Sequence, residues 1–335
     1  MKPYLVGVDL GGTFIKTALI TLQGDIVKKV EIPSEKESGP ERVINNICTS
    51  IQLAVKEAGQ IFDQVQGIGL GTPGPLNTQK GIVCNAVNIP GFINIPLRDV
   101  IQERFGIPAY LENDANAAGY GEYWKGAGRG SSLMVAYTLG TGVGGGIIID
   151  GKLIRGANDS GGELGHMTIV PDGEMCSCGN RGCVEAYASA TFLVKHTSAK
   201  LKKGCPSLLT KWLEEGKILT AKLIDEARRA GDAFSAEMLQ GVGYYLGLGV
   251  ANVVSALNPD VVVVGGGMMK AGEIILEPVR REVQKRTFRE HYEHLRIVAA
   301  ELGNDAGVIG AAGLALERAG IRGIWKRENA EPPTC

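Results

Sequence analysis

The sequence predicts an α/β protein with two related halves, and three observations lead to this class. The chain has 335 residues, which is enough for two domains that each bury a core. One pattern occurs twice, at residues 4–25 and 132–151: an apolar strand, a turn of Gly and Thr, a second apolar strand and a hairpin turn. A run of four valines ending at Val264 is typical of a strand in a sheet covered on both faces.

Hydrophobic periodicity predicts the individual elements. Residues 4–10, 14–20 and 26–32 are apolar segments separated by turns, and they predict an antiparallel meander. The spacing of apolar residues from Val43 to Val55 predicts a helix over residues 40–58. The other predictions are strands at 65–70, 108–111, 132–139, 147–149 and 295–299, helices at 97–105, 191–234, 235–258 and 304–318, an irregular segment at 81–96, and a frayed polar tail after Arg322.

Composition excludes several classes of partner. The formal net charge is −1, and no basic stripe marks a nucleic-acid surface. No signal peptide precedes the first predicted strand, and no apolar run is long enough to span a bilayer. Glycines and Asn252 interrupt the long helix at 235–258, which favours a buried helix over a membrane span. We therefore expect a cytoplasmic protein that binds neither nucleic acid nor membrane.

Four potential metal ligands lie close together in the sequence. His166, Cys176, Cys178 and Cys183 fall within eighteen residues. Three thiolates and one imidazole complete a tetrahedral Zn²⁺ site with no open position for water, so this zinc would be structural. The alternatives are ordinary buried thiols or a disulfide, but a Cys-Ser-Cys segment is too short to bridge comfortably.

Two carboxylates bracket these ligands. Glu163 and Glu185 lie just before and just after the cysteine-rich segment. A metal loop that holds two carboxylates in fixed positions suits the recognition of sugar hydroxyls.

The first Gly/Thr turn is a candidate phosphate site. Backbone N–H groups at Gly11 and Gly12 and the hydroxyl of Thr13 can face phosphate oxygens. Asp9 is placed to act on a metal-bound phosphate, and Lys16 adds a positive charge. The alternative is a plain hairpin, because a Gly-Gly turn alone is more often only that.

Further turns repeat this chemistry. The second copy of the pattern places Thr141 and Gly142 in a turn, and two phosphate turns can hold one polyphosphate between them. The run Gly265, Gly266 and Gly267 follows the valine strand, in the usual position of a nucleotide turn.

Polar residues follow the strand at 108–111. Asn113 and Asp114 lie where this strand meets a helix of small residues, and Asn or Asp in such a place is commonly an N-cap. A carboxylate at this junction could instead take a proton from a substrate hydroxyl. Gly74, in a rigid Gly-Thr-Pro-Gly-Pro turn, and Asn88, in the irregular segment, are further candidates for contact with a ligand, although such residues are usually only turn formers.

The chain resembles the ROK family (repressors, ORFs and sugar kinases) of the actin-like/hexokinase superfamily. The resemblance covers almost the whole chain, and within the family it is most similar to the Gram-positive-type ATP-dependent glucokinases. The matching motifs, in order, are DLGGTFIKT, GTPGP, ENDANAA, TLGTGVGGGIIIDG, GGELGHM, CSCGNRGCVE, VVVVGGG and LGNDAGVIGAA.

This resemblance implies two ribonuclease-H-like domains with an interdomain cleft. We expect a smaller N-terminal lobe of residues 1–116 plus 304–335 and a larger lobe of residues 117–303. The family's catalytic aspartate falls on Asp114, which would accept the proton of the sugar O6 hydroxyl. The implied sugar-binding residues are Gly74, Asn88, Asn113, Asp114, Glu163, His166 and Glu185.

The resemblance also implies ATP and Mg²⁺ as cofactors, D-glucose as the substrate and a homo-oligomer, either a dimer or a tetramer. The implied ATP-binding residues are Asp9, Gly11, Gly12, Thr13, Lys16, Thr141, Gly142, Gly265, Gly266 and Gly267. Three alternatives remain open. The protein could be a kinase for another sugar, such as N-acetylmannosamine, N-acetylglucosamine, fructose or allose, or a sugar-binding module without activity. It could also be a repressor, although the first turn begins at Asp9 and leaves no room for a preceding helix-turn-helix.

Overall fold

The computed structural model describes residues 2–86 and 88–320. Its strands are β1 (Tyr4–Leu10), β2 (Phe14–Thr21), β3 (Ile26–Pro33), β4 (Val65–Thr72), β5 (Leu76–Asn77), β6 (Ile82–Asn85), β7 (Ile93–Ile95), β8 (Ala109–Asn113), β9 (Leu133–Leu139), β10 (Val143–Ile149), β11 (Lys152–Leu153), β12 (Val261–Gly265) and β13 (Arg296–Ala299). Its α-helices are α1 (Pro40–Glu57), α2 (Leu97–Phe105), α3 (Asp114–Lys125), α4 (Glu185–Ala188), α5 (Ala190–Lys202), α6 (Leu208–Glu214), α7 (Ala221–Arg229), α8 (Ala233–Leu257), α9 (Glu273–Arg286), α10 (Arg289–His294) and α11 (Ala306–Arg318). The frayed tail predicted after Arg322 lies outside the described residues.

The predicted α/β class is confirmed, and the chain divides into two compact units. The first unit is Met1–Ser132 with Ile148–Gly161 and Asn304–Cys335, and the second is Leu133–Ile147 with Gly162–Gly303. Within the part of the chain that the structure describes, every helix is too short or too polar to cross a membrane.

The first unit is built on a five-stranded sheet in the order β3-β2-β1-β4-β8. The predicted meander is present, because β1, β2 and β3 pair antiparallel in sequence order. β4 pairs parallel with β1 and with β8, so these three strands end at the same edge of the sheet. The buried face of α1, which includes Ile47 and Ile51, packs into the same hydrophobic core as Val8 and Leu70.

Helix α11 lies unusually close to this sheet and to α3. A Cβ atom at Gly7 in β1 would lie 1.9 Å from the carbonyl oxygen of Val308, and one at Gly69 in β4 would lie 1.8 Å from that of Ala311. A Cβ at Gly310 would lie 1.6 Å from the carbonyl oxygen of Ala117 in α3. Only glycine allows backbones to approach this closely.

The two units differ from the predicted lobe boundaries. The close packing of α11 on α3 places residues 117–132 in the first unit, whereas the prediction ended the N-terminal lobe at residue 116. Residues 148–161 also belong to the first unit, because Arg155 forms ion pairs with Glu112 and Glu317.

The second five-stranded sheet has the order β11-β10-β9-β12-β13, and β9, most of β10, β12 and β13 belong to the second unit. The valine strand β12 is buried throughout and pairs parallel with β9 and with β13. Helix α8 was predicted at residues 235–258 and spans Ala233–Leu257. Gly243 and Gly247 allow close contact with α9, a helix that the sequence analysis did not predict.

Two further predictions were wrong in detail. Residues 81–96 were predicted to be irregular, but β6 and β7 form a small antiparallel sheet with β5. Strands of two to four residues offer too few alternations for a periodic signal. The charged helical segment at 191–234 is three helices, and α5, α6 and α7 begin at side-chain N-caps from Ser189, Ser207 and Thr220.

Candidate functional site

Asn113 and Asp114 have separate roles at the junction of β8 and α3. Asn113 is the N-cap, and its Oδ1 accepts hydrogen bonds from the backbone N–H groups of Ala115 (2.9 Å) and Asn116 (3.2 Å). Asp114 is the first residue of the helix, and its Oδ1 accepts from the N–H of Ala115 at 2.8 Å. The alternative that Asp114 is itself the N-cap is therefore wrong. A helix N-terminus favours a negative charge at this position.

Glu112 holds this junction in place through buried hydrogen bonds, a role that the sequence analysis did not predict. Its side chain is 5% exposed. Its Oε1 accepts from the N–H of Asn113 and from Nδ2 of Asn116, both at 3.1 Å. Its Oε2 accepts from Nε of Arg155 at 2.6 Å, and Arg155 also pairs with Glu317 at 3.2 Å. Periodicity gives no signal for an ion pair that spans 43 residues.

Asp9 lies at the same edge of the first sheet. In the strand register Asp9 stands opposite Lys16 in β2 and Gly71 in β4, and Gly71 in turn stands opposite Glu112 in β8. The backbones of Asp9 and Glu112 are thus two strand spacings apart, about 10 Å. Burial raises the pKa of Asp9, and the positive charge of Lys16 opposes this rise. A Cβ at Gly307 would lie 2.8 Å from Oδ2 of Asp9, so the first turn of α11 borders the carboxylate.

The first Gly/Thr turn has the form of an anion site. The N–H of Gly11 donates to the carbonyl of Phe14 at 3.0 Å, and Ser34 binds the carbonyl groups of Gly12 and Thr13 at 2.9 Å each. Among the described residues, the N–H groups of Gly12 and Thr13 have no protein acceptor. Successive free N–H groups in a turn form an anion-binding concavity.

Two side chains border this turn. A Cβ at Gly12 would lie 3.8 Å from Cβ of Asn88 and 3.9 Å from Nζ of Lys36. The structure therefore places the predicted Asn88 beside the turn. It also places Lys36 there, which the sequence analysis did not select because this residue follows β3 and lies outside the turn motif. Gly74 packs against the segment before Asn88: its φ of 94° is left-handed, and a Cβ there would lie 2.0 Å from the carbonyl oxygen of Asn85.

In the second unit, Glu185 joins the second Gly/Thr turn to the cysteine-rich loop. Its Oε2 accepts from the N–H of Val143 at 2.9 Å, and a Cβ at Gly142 would lie 2.4 Å from the same oxygen. Its Oε1 accepts from Oγ of Ser177 at 2.7 Å. One carboxylate at the start of α4 therefore contacts both predicted ligand-binding segments.

Glu163 and His166, two further predicted residues of the second unit, flank a buried pair that packs against the start of β10. Leu164 and Gly165 are buried, and a Cβ at Gly165 would lie 1.9 Å from the carbonyl oxygen of Val143. This packing holds Glu163, which is exposed, and His166 on either side of the buried pair.

The remaining turns lie against the end of β9. The carbonyl of Thr141 accepts from Oγ1 of Thr191 at 2.7 Å. Gly266 has a φ of 91°, and a Cβ there would lie 2.3 Å from the carbonyl oxygen of Leu139. The turn from Gly265 to Gly267 thus packs beside the segment that carries Thr141.

The four predicted metal ligands converge. The ligand atoms of His166, Cys176, Cys178 and Cys183 all lie within 4.8 Å of one another. Nδ1 of His166 lies 3.6 Å from Sγ of Cys176, and the Sγ atoms of Cys178 and Cys183 are 3.8 Å apart. A tetrahedral Zn²⁺ with bonds of about 2.3 Å to sulfur and 2.0–2.1 Å to nitrogen separates such atoms by about 3.6–3.8 Å. The donor set and its spacing therefore fit a metal ion of this kind.

The rest of the unit holds the metal loop in place. Cys176 and Cys183 are buried in a small cluster with Tyr187 and Phe192. The hydroxyl of Tyr187 accepts from the N–H of Glu174 at 2.7 Å, at the base of the loop. The loop thus rests on aromatic packing in addition to its ligands.

The model of the ROK family matches residues 5–318. The chain belongs to the ROK family. It is 40% identical to a glucokinase of Halalkalibacterium halodurans, over 93% of this chain and 94% of that protein. It is 32% identical to a xylose repressor of Caldicellulosiruptor bescii, over 93% of this chain and 78% of that longer protein.

Among solved structures, this ROK-family chain is similar to a glucokinase of Streptomyces griseus in complex with glucose and AMPPNP. The TM-score is 0.77 at 35% identity, and the match covers 94% of this chain and 99% of that one. Kinases and a regulator thus share this fold, so the function must be argued from the site.

Proposed function

We propose that this ROK-family protein is a glucokinase, which transfers the γ-phosphoryl group of ATP to O6 of D-glucose. The observation that carries the proposal is that Asn113, and not Asp114, is the N-cap of α3. Because Asn113 caps α3, the carboxylate of Asp114 is not needed to cap the helix and stands at its N-terminus. A carboxylate so placed can serve as a general base.

The reaction would proceed by attack of the sugar oxygen on phosphorus. Asp114 accepts the proton of the O6 hydroxyl as O6 forms its bond to the γ-phosphorus. The bond from that phosphorus to the bridging oxygen breaks, and ADP leaves with the electron pair. Catalysis of this kind depends on positioning and on charge stabilisation.

The phosphates would bind at the Gly/Thr turns. The N–H groups of Gly12 and Thr13 and the nearby ammonium of Lys36 supply donors in the first unit. Lys16, Thr141, Gly142 and the run from Gly265 to Gly267 complete the proposed set. Mg²⁺ would neutralise phosphate charge, and Asp9 is the carboxylate we propose to face it.

The sugar would bind through carboxylate, amide and imidazole groups. We propose Asn113, Glu163, His166 and Glu185 as hydrogen-bond partners of the hydroxyls, with Asn88 and Gly74 at the border of the site. A Zn²⁺ held by His166 and the three cysteines would be structural, and it would fix the His166 ring for its contact with the sugar.

The test is a panel of sugars with ATP in a coupled assay for ADP. We expect the highest kcat/KM for D-glucose, because a site built to pair with hydroxyls rejects sugars that leave its groups unpaired. D-xylose is the matched control, since it lacks the C6 hydroxyl and should give no sugar-dependent ADP. A higher kcat/KM for N-acetylmannosamine, N-acetylglucosamine, fructose or allose would show that this sugar is the preferred substrate instead of glucose. The assignment as a sugar kinase would then stand.

The second candidate is a sugar-binding regulator without catalysis, which the similarity to a xylose repressor favours. It predicts that sugars bind, measured by calorimetry, while no sugar in the panel yields ADP. We also propose a homo-oligomer, a dimer or a tetramer, which light scattering coupled to gel filtration would test.

A further inference from the structure

Arg155 is a largely buried cation that the proposed mechanism does not use. It follows β11, and its side chain is 17% exposed. Its Nε donates to Oε2 of Glu112 at 2.6 Å, and its Nη2 donates to Oε2 of Glu317 at 3.2 Å. Burial alone would lower the pKa of Arg155, but the negative charges of Glu112 and Glu317 outweigh this and raise it above its ordinary value. Apolar packing often stabilises a fold as well as a buried ion pair does, so stability is a weak reason for this one.

The loop that carries Arg155 is fixed at two further points. The carbonyl of Arg155 accepts from the N–H of Gly161 at 2.8 Å, which closes the loop. Asp159 accepts from the backbone N–H and from the hydroxyl of Thr78, both at 2.9 Å. The guanidinium of Arg155 is therefore held at a defined place beside Glu112.

Glu112 joins Arg155 to the start of α3. Its Oε2 is bound by Arg155, and its Oε1 accepts from the N–H of Asn113 and from Nδ2 of Asn116, both at 3.1 Å. Asp114 lies between these two asparagines, in the first turn of the helix. The negative charge of Glu112 is thus anchored to the same turn as the carboxylate of Asp114. A like charge nearby makes a carboxylate hold its proton more tightly.

Arg155 is the direct counter-ion of Glu112. Among the residues that the structure describes, it is the one cation hydrogen-bonded to Glu112. Arg318 also attracts Glu112, but its guanidinium donates to the carbonyl of Leu111 at 3.2 Å and to Oγ1 of Thr78 at 3.4 Å. The other charged groups on the elements around Glu112 and Asp114 are Glu317 in α11, Asp159 in the loop of Arg155, Asp9 in β1 and Lys16 in β2.

We propose that Arg155 is a positioning residue for the general base, and that it acts on Asp114 through the buried carboxylate of Glu112. The ion pair offsets the charge of Glu112, so Glu112 can order the first turn of α3 without making Asp114 hold a proton. Asp114 is then ionised and ready to accept the proton of the sugar hydroxyl. This inference rests on the proposed function, because it takes Asp114 as the base.

Arg155→Gln removes the compensating charge and keeps a donor for Glu112. Glu112 retains its bonds from Asn113 and Asn116, which favour its charged form, so it should now repel the carboxylate of Asp114. The measurement is the pH profile of kcat/KM for the preferred sugar of the panel, since its acid limb reports the base of the free enzyme. We expect this limb to move to higher pH by at least about half a unit.

Glu112→Gln should move the acid limb in the opposite direction. It leaves the positive charge of Arg155 without its partner at the start of α3, so Asp114 should lose its proton at lower pH. With both substitutions in one chain neither charge remains, and the limb should return close to the parent position. A purely structural role of the ion pair predicts instead that the double variant is no closer to the parent than either single variant.

Two further variants separate charge from shape. Arg155→Lys keeps the charge but cannot reach both carboxylates with a planar fork, so its melting temperature should fall while its acid limb stays near that of the parent. Lys125→Gln is the control, because it makes the same change in net charge at the other end of α3, where Lys125 pairs with Asp25 at 2.8 Å. Its limb should not move.

The outcomes distinguish this inference from the proposed function. If the parent yields no ADP with any sugar, or if Asp114→Asn keeps a near-native kcat, the proposed function fails and this inference fails with it. If Asp114→Asn loses activity as expected but folded Arg155→Gln keeps the acid limb of the parent, this inference alone is wrong. Should Arg155→Gln not fold, Glu112→Gln decides: a limb at lower pH supports the role of Arg155, and a limb that is unmoved or higher overturns it.

Discussion

At the scale of single residues, Asn113, Asp114 and Glu112 show which parts of a site a sequence predicts. The residue types and their place after a strand were sufficient to select Asn113 and Asp114. Which of them caps the helix depends on backbone angles, and the structure assigns the cap to Asn113. The buried contact of Glu112 with Arg155 depends on tertiary packing between distant segments, so no local pattern predicts it.

Replacing Asp114 by Asn tests the proposed general base. The amide keeps the shape of the side chain but cannot take a proton at neutral pH, so kcat should fall at least about a hundredfold. The melting temperature should stay near that of the parent, because the cap belongs to Asn113. Glucose binding, measured by calorimetry, should persist. A near-native kcat would dismiss Asp114 as the base.

Replacing Ser177 by Ala tests the link between the metal loop and the second Gly/Thr turn. Glu185 loses the 2.7 Å hydrogen bond from Ser177 but keeps the one from Val143. A hydrogen bond of about 0.5–1.5 kcal/mol corresponds to a rise of about two- to tenfold in KM for the sugar. Metal content should not change.

The matched control for Ser177→Ala is Asn180→Ala. Asn180 lies in the same loop and donates to Oγ1 of Thr168 at 3.2 Å, away from Glu185. Its KM should stay near that of the parent. If the two variants behave alike, the effect belongs to the loop as a whole and not to Glu185.

Asp9 should carry a stability cost that depends on pH. Because burial raises its pKa above the ordinary value of 3.8, the charged form is disfavoured in the folded state. The cost is full above the raised pKa and disappears as pH falls toward 3.8. Asp9→Asn should therefore raise the melting temperature at pH 7, with a smaller gain near pH 4.5, and should lower kcat. Asp63→Asn, at an exposed position, is the control, and a gain that is equal at both pH values would contradict this account.

At the scale of elements, apolar periodicity predicted the long helices and buried strands well. α1 and α8 were placed to within about two residues, as expected for strongly periodic segments. The contacts that position α11 could not be predicted, because a glycine in a helix or strand pattern does not show what lies against it. From the sequence, Gly310 is only a residue of low helix propensity. In the structure, it lies against the backbone of Ala117.

Gly310→Ala tests this packing. The new Cβ would overlap the carbonyl oxygen of Ala117, so the free energy of unfolding should fall by at least about 1–3 kcal/mol. Gly241→Ala in α8 is the matched control, because among the described residues no atom outside the neighbouring backbone of α8 lies within 4 Å of its Cβ position. There the substitution should stabilise the helix by about 0.5–1 kcal/mol. Chemical denaturation measures both, and equal effects of the same sign would contradict the role of close approach.

At the scale of the whole molecule, the internal repeat predicted two units but not their boundaries. The repeated strand–turn–strand pattern is visible in the sequence, since it is local. The assignment of α3 and residues 148–161 to the first unit depends on contacts between residues far apart in the sequence, as between Gly310 and Ala117. Such long-range pairings leave no periodic signal.

Removal of the metal should affect the two units differently. Chelation should leave the thiols of Cys176, Cys178 and Cys183 without the metal ion that they share, and the loop from 162 to 190 should lose order. Hydrogen exchange followed by mass spectrometry should show faster exchange in that loop and unchanged protection in β1 and β4. Metal analysis of the untreated protein should find about one zinc per chain. An untreated, active protein without zinc would remove the metal assignment.

The cap formed by Asn113 also fixes the hydrogen-bonding polarity of its side chain. Its oxygen is occupied by the two backbone N–H groups at the start of α3, so only the amide nitrogen remains for a ligand. That nitrogen can donate but cannot accept. Any ligand atom opposite it must therefore offer a lone pair, as a hydroxyl does. A protonated amine at the same place has only hydrogens to present, so the helix cap would discriminate between a neutral sugar and its cationic amino analogue at the sugar site that we propose.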